Sequence, residues 1–264
     1  MAPDAGPRVA LVTGAARGIA RASAIRFAAA GAKVVVADVD AQGGNETAET
    51  IRAAGGVATY VPCDVADEAS VAAMVAAALD TFGRLDAAHN AVGISPDSGD
   101  TVSCTREMWD RILAVNLTGT WMCMKHQIPA LVRSGGGAIV NTSSSAGLTG
   151  VAGVPAYVAA KHGVIGVSKA AALEAAGSGV RVNVIVPGST RTPGLQEKVD
   201  SGFGIALEQY AASSPFRRLA EPDEIAAAAV WLCSDAASFV TGAVLSVDGG
   251  KMAGQMSFSS ATVS

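Results

Sequence analysis

The sequence predicts an α/β fold in which a doubly wound, seven-stranded parallel sheet carries helices on both faces. Short β-branched runs alternate with longer, alanine-rich amphipathic segments along the 264 residues. Runs such as Lys33–Ala37 are continuously apolar rather than alternating, as expected of strands that are covered on both faces. Repeated βα units with right-handed crossovers place helices on both sides of such a sheet. We expect a single Rossmann-type domain over residues 1–264.

The alternation can be divided into elements in chain order. The predicted strands are Val9–Val12, Lys33–Ala37, Ala58–Val61, Ala87–His89, Ala138–Asn141, Arg181–Val186 and Val244–Val247. The predicted helices are Ile19–Ala30, Gly43–Ala54, Glu68–Phe82, Arg106–Val132, Tyr157–Ala175 and Pro222–Leu232. Ser95–Thr105 is a polar loop, and Gly188–Pro215 lacks a firm period, which is typical of a substrate-binding loop. We expect the tail 251–264 to be poorly ordered at its end.

Composition limits the classes of partner. The net charge is −4 and no cluster of lysine and arginine is present, which disfavours a nucleic-acid partner. Half of the residues are hydrophobic and 16% are charged, so we expect an apolar surface of the kind that a homo-oligomer buries. The apolar stretches are too short and too interrupted by glycine to span a membrane, and no signal-peptide pattern precedes the first strand. We therefore expect a cytoplasmic protein.

The cysteines and histidines do not form a metal site. Cys63, Cys104, Cys123 and Cys233 are scattered without a paired motif, so we interpret them as reduced thiols. The histidines also lack ligand spacing and lie in apolar neighbourhoods, which favours packed core or interface residues: they are His89, His126 and His162. Trp109 and Trp121 are expected to serve packing or an interface.

The turn after the first predicted strand has the composition of a dinucleotide-binding turn. Gly14 and Gly18 lie between that strand and a helix that opens with Gly18 and Ile19. Glycines allow the backbone to approach a pyrophosphate, and the helix N-terminus offers amide N–H groups and a positive dipole end. We weigh this against a purely structural turn and favour the cofactor site.

The second strand ends at Asp38, 20 residues after Gly18. A carboxylate at this position can accept hydrogen bonds from the adenosine ribose and repels a 2′-phosphate. Arg17 is the competing signal, because an arginine in the glycine turn can attract that phosphate. We expect NAD as the cofactor, with Asp38 as a simple helix N-cap as the alternative.

Tyr157 and Lys161 are four residues apart, so a helix places them on one face. The predicted strand Ala138–Asn141 runs into a serine-rich turn that contains Ser144. An open α/β sheet binds its ligands at such strand ends. An ordinary tyrosine pKa of roughly 10 is too high for a base at neutral pH, and a nearby ammonium lowers it. Ser144 would hold the substrate oxygen.

These pieces together resemble the short-chain dehydrogenase/reductase family over residues 8–250. Ala20 and Ala91 depart from the family's usual glycine and asparagine, and neither departure touches the predicted chemistry. The matching motifs follow the family's order and spacing: Thr13-Gly14-x-x-x-Gly18, Cys63-Asp64-Val65, Asn90-Ala91-Val92-Gly93, Val115-Asn116-Leu117-Thr118-Gly119, Ser144, Tyr157-x-x-x-Lys161, Asn183-x-x-x-Pro187-Gly188-x-x-x-Thr192 and Val247-Asp248-Gly249-Gly250.

The resemblance implies a role for each matching position. Asp64 and Val65 would bind the adenine, the first through its side chain and the second through its backbone. Asn90 and Gly93 would line the adenosine side, with Asn90 also joining neighbouring strands. The nicotinamide and its carboxamide would be flanked by four residues, which are Pro187, Gly188, Thr190 and Thr192.

The resemblance also implies a proton relay. Lys161 would hold the nicotinamide ribose, and Asn116 would hold a water that links Lys161 to solvent. Taken alone, Asn116 in the middle of a helix indicates only a backbone hydrogen bond. The family further implies a homotetramer, with contacts through the helix 106–132 and through the C-terminal segment.

The predicted function is that of an oxidoreductase that transfers a hydride between NAD(H) and a small secondary alcohol or ketone. Segments such as Cys123–Ile128 and Ala229–Gly242 are similar to those of bacterial dehydrogenases of cyclic secondary alcohols and diols. Mixed, nearly balanced charges in Gly188–Pro215 favour a neutral cyclic or branched substrate.

Two other functions remain open. A 3-oxoacyl-thioester reductase would use NADPH and dock an acidic carrier protein, against which Asp38 and the lack of a basic patch weigh. A non-catalytic dinucleotide sensor could do without Tyr157 or Lys161, and this chain has both. A methyltransferase would share the glycine turn but has no use for Ser144 together with these two residues.

Overall fold

In the computed structural model of the protein, residues 8–95, 99–203 and 205–254 are described. Seven strands form one parallel sheet in the order β3-β2-β1-β4-β5-β6-β7, which confirms the predicted architecture. The strands are β1 (Val9–Thr13), β2 (Lys33–Asp38), β3 (Ala58–Pro62), β4 (Ala87–Asn90), β5 (Gly137–Thr142), β6 (Val180–Pro187) and β7 (Val244–Val247). Residues 255–264, which include most of the tail that we expect to be poorly ordered, lie outside the described residues. Residues 1–7, residues 96–98 of the predicted polar loop and Gly204 also lie outside them.

Nine α-helices of the described chain flank this sheet. They are α1 (Gly18–Ala29), α2 (Ala41–Ala53), α3 (Glu68–Phe82), α4 (Arg106–Leu113), α5 (Gly119–Arg133), α6 (Pro155–Ala175), α7 (Pro193–Asp200), α8 (Leu207–Ala212) and α9 (Pro222–Cys233). None of the helices described is long and apolar enough to cross a membrane.

Inner strands such as β1, β2 and β5 are buried on both faces, which is why they lack polar alternation, whereas the edge strands β3 and β7 are only partly buried. Val9 and Leu11 of β1 pack into one apolar cluster with α3, α5 and α6. Ala10 and Val12 of the same strand pack into a second cluster with α1, α2 and α9. Successive side chains of a strand point to opposite faces, so one continuous apolar run supplies both layers.

Side-chain caps determine where several helices begin. Asp40 accepts a hydrogen bond from the Gly43 N–H at 3.1 Å and caps α2. Thr105 caps α4 in the same way through the Met108 N–H. Such caps satisfy an amide that has no partner within the helix. Because Asp40 caps α2, the alternative interpretation of Asp38 as the N-cap is wrong, and its carboxylate lies elsewhere.

Two expected elements differ in detail. The predicted helix 106–132 is interrupted by one wide π-helical turn, Ala114–Thr118, between α4 and α5. The segment Gly188–Pro215, predicted without regular structure, contains α7 and α8. Thr192 followed by Pro193 is an ordinary helix start, since threonine caps the first turn and proline fits the first helical position. Both helices are short, so neither shows a clear period.

Candidate active site

The glycine turn lies at the carboxyl edge of the sheet between β1 and α1. The Gly14 N–H donates to the Ala37 carbonyl at 2.8 Å, which bends the chain sharply after β1. Gly14 has φ +76°, and a Cβ there would come within 3.2 Å of Val92. Only glycine fits this conformation without strain. Gly18 and Ile19 then open α1, whose first amides face the same edge.

Asp38 is the last residue of β2, and its carboxylate reaches the glycine turn. One carboxylate oxygen accepts the Ala16 N–H at 2.9 Å, and the other accepts the Asp40 N–H at 3.0 Å. The Tyr60 hydroxyl donates to the Asp38 carbonyl at 3.0 Å. The Asp38 side chain is therefore held beside the turn, with its lone pairs only partly used. Tyr60 was not foreseen, because nothing local to β3 indicates this contact.

Arg17, the competing signal in the glycine turn, forms an ion pair with Glu197 of α7. Both side chains are more than half exposed to solvent. The guanidinium is thus directed toward the segment that follows β6. The sequence did not indicate this pairing, since the two residues are 180 positions apart.

The residues expected to contact the adenosine at the ends of β3 and β4 have different environments. Asp64 is exposed after β3, and its carboxylate accepts the Ala66 N–H at 2.9 Å, whereas Val65 is buried. Asn90 ends β4, and its buried amide donates to Asn141 and to Gln127, both at 2.9 Å. The Asn90 side chain therefore joins β4 to β5 and α5, as expected.

Asn116 lies in the π-helical turn and is fully buried. Its amide nitrogen donates to the carbonyls of Ile94 and Ile112, and its oxygen accepts the Ile94 N–H at 3.1 Å. π-Helical turns occur often at functional sites. The side chain thereby fixes the chain after β4, including Gly93, where a Cβ would come within 2.9 Å of the Asn116 oxygen and 3.2 Å of the Lys161 Nζ.

Tyr157 and Ser144 meet where β5 ends. Ser144 starts a short 3₁₀ turn by accepting the Ala146 N–H at 3.2 Å, and its side chain lies close enough to the Tyr157 phenol to affect the pKa of that group. Burial raises the pKa of Tyr157 above its ordinary value, and Ser144 opposes that rise. The expectation that Lys161 lowers this pKa is wrong for this structure, since burial has the largest effect.

Lys161 is buried on the same face of α6, with its Nζ 5.6 Å from the centre of the Tyr157 ring. Its Nζ donates to the Thr142 carbonyl at 3.0 Å, at the end of β5. Burial lowers the pKa of Lys161 to about 8. The causes of the Tyr157 pKa shift are burial and Ser144, and Lys161 is not among them.

The residues expected around the nicotinamide follow β6. The Gly188 N–H continues the sheet by donating to the Val247 carbonyl at 3.0 Å. Thr190 is buried, and its hydroxyl donates to the Gly188 carbonyl at 3.0 Å. The Thr192 hydroxyl caps α7 through the Leu195 N–H. Pro187 is the last residue of β6 and pairs with Val247 of β7.

The carboxyl edge fits a dinucleotide. The close backbone at Gly14, the start of α1 and the carboxylate of Asp38 lie on one side of the point between β1 and β4 where the strand order reverses. The Ser144–Tyr157 pair lies on the other side. Open α/β sheets bind ligands across this point, and a helix N-terminus suits a pyrophosphate.

Thr142 and Ser143 are site residues that sequence reasoning missed. Ser143 is buried, and its hydroxyl donates to the Lys161 carbonyl at 2.8 Å, while the Thr142 carbonyl receives the Lys161 Nζ. The sequence has a run of hydroxyl residues at the end of β5, and this run indicates a polar strand end. It does not indicate which of these residues binds Lys161.

Comparisons with known proteins agree with this geometry. A family model described as enoyl-(acyl carrier protein) reductase matches residues 14–251. A 2,5-dichloro-2,5-cyclohexadiene-1,4-diol dehydrogenase of Sphingobium indicum is 44% identical over 94% of this chain and 98% of its own length. A cis-4-hydroxycyclohexanecarboxylate dehydrogenase of Sinomonas cyclohexanicum is 44% identical over 92% of this chain and 96% of its own. The crystal structure of a levodione reductase superposes with a TM-score of 0.90 at 35% identity, covering 94% of this chain and 98% of that one.

The chain therefore belongs to the short-chain dehydrogenase/reductase family. Residues 14–251, which the family model covers, include the glycine turn, the Ser144–Tyr157 pair and Lys161. The protein is an oxidoreductase of this family, and a nicotinamide dinucleotide is its class of cofactor.

Proposed function

We propose that the protein is an NAD-dependent dehydrogenase of cyclic secondary alcohols that also reduces the corresponding ketones. The observation that carries this proposal is the meeting of Ser144, Tyr157 and Lys161 at the end of β5, beside the glycine turn. The two relatives at 44% identity support a ring-shaped substrate, because both are named for hydroxylated six-membered carbon rings.

Ser144 and Tyr157 act on the reacting oxygen. The two side chains lie close together, which brings two hydroxyl groups to one point, where they can hold an alcohol oxygen. Tyr157 takes the hydroxyl proton during oxidation and returns it during reduction. The bound nicotinamide supplies the acceptor or donor of the hydride, and the protein orients the two reactants.

Lys161 and Asn116 support this proton transfer. We assign the Lys161 Nζ to the nicotinamide ribose and to the passage of the proton from Tyr157. Asn116 lies close to that ammonium across Gly93 and would hold the water that leads to solvent. The remaining proposed cofactor contacts are Gly14, Arg17, Gly18, Ile19, Asp64, Val65, Asn90, Pro187, Gly188, Thr190 and Thr192.

Two observations support NAD over NADP. The Asp38 carboxylate is fixed beside the glycine turn, where it can accept the ribose hydroxyls and would repel a 2′-phosphate. Arg17, the cation that could attract that phosphate, is paired with Glu197.

A 3-oxoacyl-thioester reductase is the second candidate, and the matching family model is described by a related reaction on carrier-bound thioesters, that of an enoyl-(acyl carrier protein) reductase. This candidate predicts a preference for NADPH and for an acyl thioester. Asp38 argues against the first of these preferences.

The deciding experiment is a substrate panel followed at the nicotinamide absorbance. Cyclohexanols, cyclic diols, their ketones and a 3-oxoacyl thioester are each assayed with NAD(H) and NADP(H). We expect the highest kcat/KM for a cyclic alcohol with NAD. The highest value for the thioester with NADPH would establish the second candidate, and no turnover with any member would favour a dinucleotide sensor.

A further inference from the structure

His89 is a buried titratable residue that the proposed mechanism does not use. It lies on β4 between Val12 of β1 and Val140 of β5, and its side chain is fully buried. Those register partners belong to the apolar cluster beneath α1 and α9. The sequence predicts a packed core histidine here, and the structure agrees about its burial. Its hydrogen bonding indicates a further role.

The imidazole has one hydrogen bond, and it leads to the active site. The His89 Nε2 lies 2.8 Å from the Thr142 Oγ1, whereas Nδ1 has no partner among the described residues. Burial lowers the pKa of His89 to about 4, so the ring is neutral near pH 7. A proton on Nδ1 would be a buried donor without an acceptor, so the proton belongs on Nε2, which donates to Thr142.

Thr142 has a backbone partner on β6 but none on β4. The backbone pairing of β5 with β6 includes Thr142, opposite Ile185. The pairing with β4 ends one residue earlier, at Asn90 and Asn141. The hydrogen bond from His89 therefore continues the link between β4 and β5 by one residue beyond the backbone ladder.

Thr142, which His89 holds in this way, also binds Lys161. The Thr142 carbonyl accepts the Lys161 Nζ at 3.0 Å. Thr142 thus has its hydroxyl fixed by His89 and its carbonyl bound to the ammonium. We propose that His89 is a positioning residue for Lys161, which acts by holding the end of β5. This inference rests on the proposed function, because the position of the Lys161 ammonium matters for catalysis only if Lys161 binds the nicotinamide ribose and assists proton transfer.

Matched variants separate this role from simple packing. His89→Leu removes the hydrogen bond and keeps a buried apolar side chain, while His89→Gln offers an amide near the position of Nε2. Thr142→Val removes the hydroxyl without changing the shape of the side chain, and Thr142→Ser keeps it. Cys233→Ala is the packing control, because Cys233 is buried in the same apolar cluster and its thiol lies against the Ala88 and Ala138 carbonyls.

The single-turnover rate of NADH formation from a cyclic alcohol is the first measurement. A net hydrogen bond corresponds to a change of about two- to tenfold, so we expect a fall of that size in His89→Leu and Thr142→Val. The KM for the alcohol should stay constant, since Ser144 is not disturbed. His89→Gln and Thr142→Ser should recover most of the rate. The double variant should be no slower than either single variant, because both lose one and the same interaction.

A second measurement needs no turnover. NMR of protein labelled with ¹⁵N-histidine should show His89 protonated on Nε2 at neutral pH, with a changed Nε2 signal in Thr142→Val. Cys233→Ala should lower the melting temperature and leave both the signal and the rate unchanged.

Several results would overturn the inference. Wild-type rates in His89→Leu and Thr142→Val would exclude the role, as would additive effects in the double variant. If His89→Leu does not fold, the rates of Thr142→Val and Thr142→Ser and the Nε2 signal of His89 still test the inference. Failure of the proposed function is distinct: Tyr157→Phe would then keep normal turnover, whereas failure of the present inference alone leaves Tyr157 essential.

Discussion

Arg17 of the glycine turn and Glu197 of α7 form an ion pair between the turn after β1 and the segment after β6. The pair is exposed, so its contribution to stability is small, about 0–1 kcal/mol. The pair also engages Arg17, the cation of the glycine turn that could attract a 2′-phosphate, and this bears on the proposed preference for NAD.

Cofactor preference should therefore depend on Asp38 and Glu197. Wild-type enzyme should have a higher kcat/KM with NAD than with NADP. Asp38→Ala removes the repulsion of a 2′-phosphate, and Glu197→Gln releases Arg17. Each variant should therefore lower the ratio of kcat/KM with NAD to kcat/KM with NADP. A change of ~1.4 kcal/mol in the relative stabilisation of the two cofactors corresponds to a tenfold change in this ratio. Initial rates with both cofactors measure the ratio. A wild-type preference for NADP would contradict this prediction and make Arg17 the deciding residue.

Loss of the Tyr157 hydroxyl should remove the proton carrier. We expect turnover of Tyr157→Phe to fall by ~10²–10⁴-fold while NADH binding, followed by fluorescence titration, persists. Tyr60→Phe is the matched control, since it removes another phenol that hydrogen-bonds only the Asp38 backbone. Its kcat should change by less than about tenfold, the range of one hydrogen bond. Near-normal turnover of Tyr157→Phe would show that another group is the base.

Lys161 should make stability rise with pH. Burial lowers its pKa from 10.5 to about 8, so between these values the unfolded state binds more protons than the folded state. The free energy of unfolding should therefore increase from pH 8 to 10.5, by up to about 3 kcal/mol from this group. Denaturant unfolding of wild type and Lys161→Met at pH 7.5 and 10 isolates the contribution. Equal pH dependence in the two proteins would mean that Lys161 has an ordinary pKa.

The family resemblance and the surface predict a homotetramer. Trp121 on α5 and Phe239 after α9 are large exposed apolar side chains on the two expected contact surfaces. Light scattering should give about four times the 26.2 kDa of one chain. Trp121→Glu should yield a smaller species, and Val57→Glu, a charge added at an exposed position outside both surfaces, should not. A stable wild-type monomer at micromolar concentration would refute the prediction.

The segment Gly188–Pro215 should favour a neutral substrate. Three of its charges are engaged within the protein: Arg191 binds Glu221 at 3.0 Å, Glu197 pairs with Arg17, and Lys198 lies over the Phe203 ring. We expect this segment to cover a mainly apolar pocket that excludes water.

Substrates of matched size provide the measurement. Neutral cyclic alcohols should have a higher kcat/KM than hydroxy acids and phosphorylated sugars. Cis-4-hydroxycyclohexanecarboxylate is the informative anion, because a relative is named for it. A higher kcat/KM for this compound than for cyclohexanol would overturn the apolar-pocket prediction.

Local pattern was sufficient for the architecture and for much of the site. All seven strands lie where short runs rich in β-branched and apolar residues predict them, because the inner strands of a sheet covered on both faces need such runs. Asp38 at the end of β2, and Tyr157 with Lys161 on one face of α6, follow from strand ends and helical spacing alone.

Only the tertiary structure decided the contacts between distant residues. The sequence does not indicate that Arg17 meets Glu197, that His89 holds Thr142, or that the π-helical turn joins Asn116 to Ile94. The sequence also predicts a lowered pKa for Tyr157, whereas burial in the folded protein raises that pKa. Secondary structure depends on neighbours within a few residues, whereas these contacts and the burial of a charge depend on how whole elements pack.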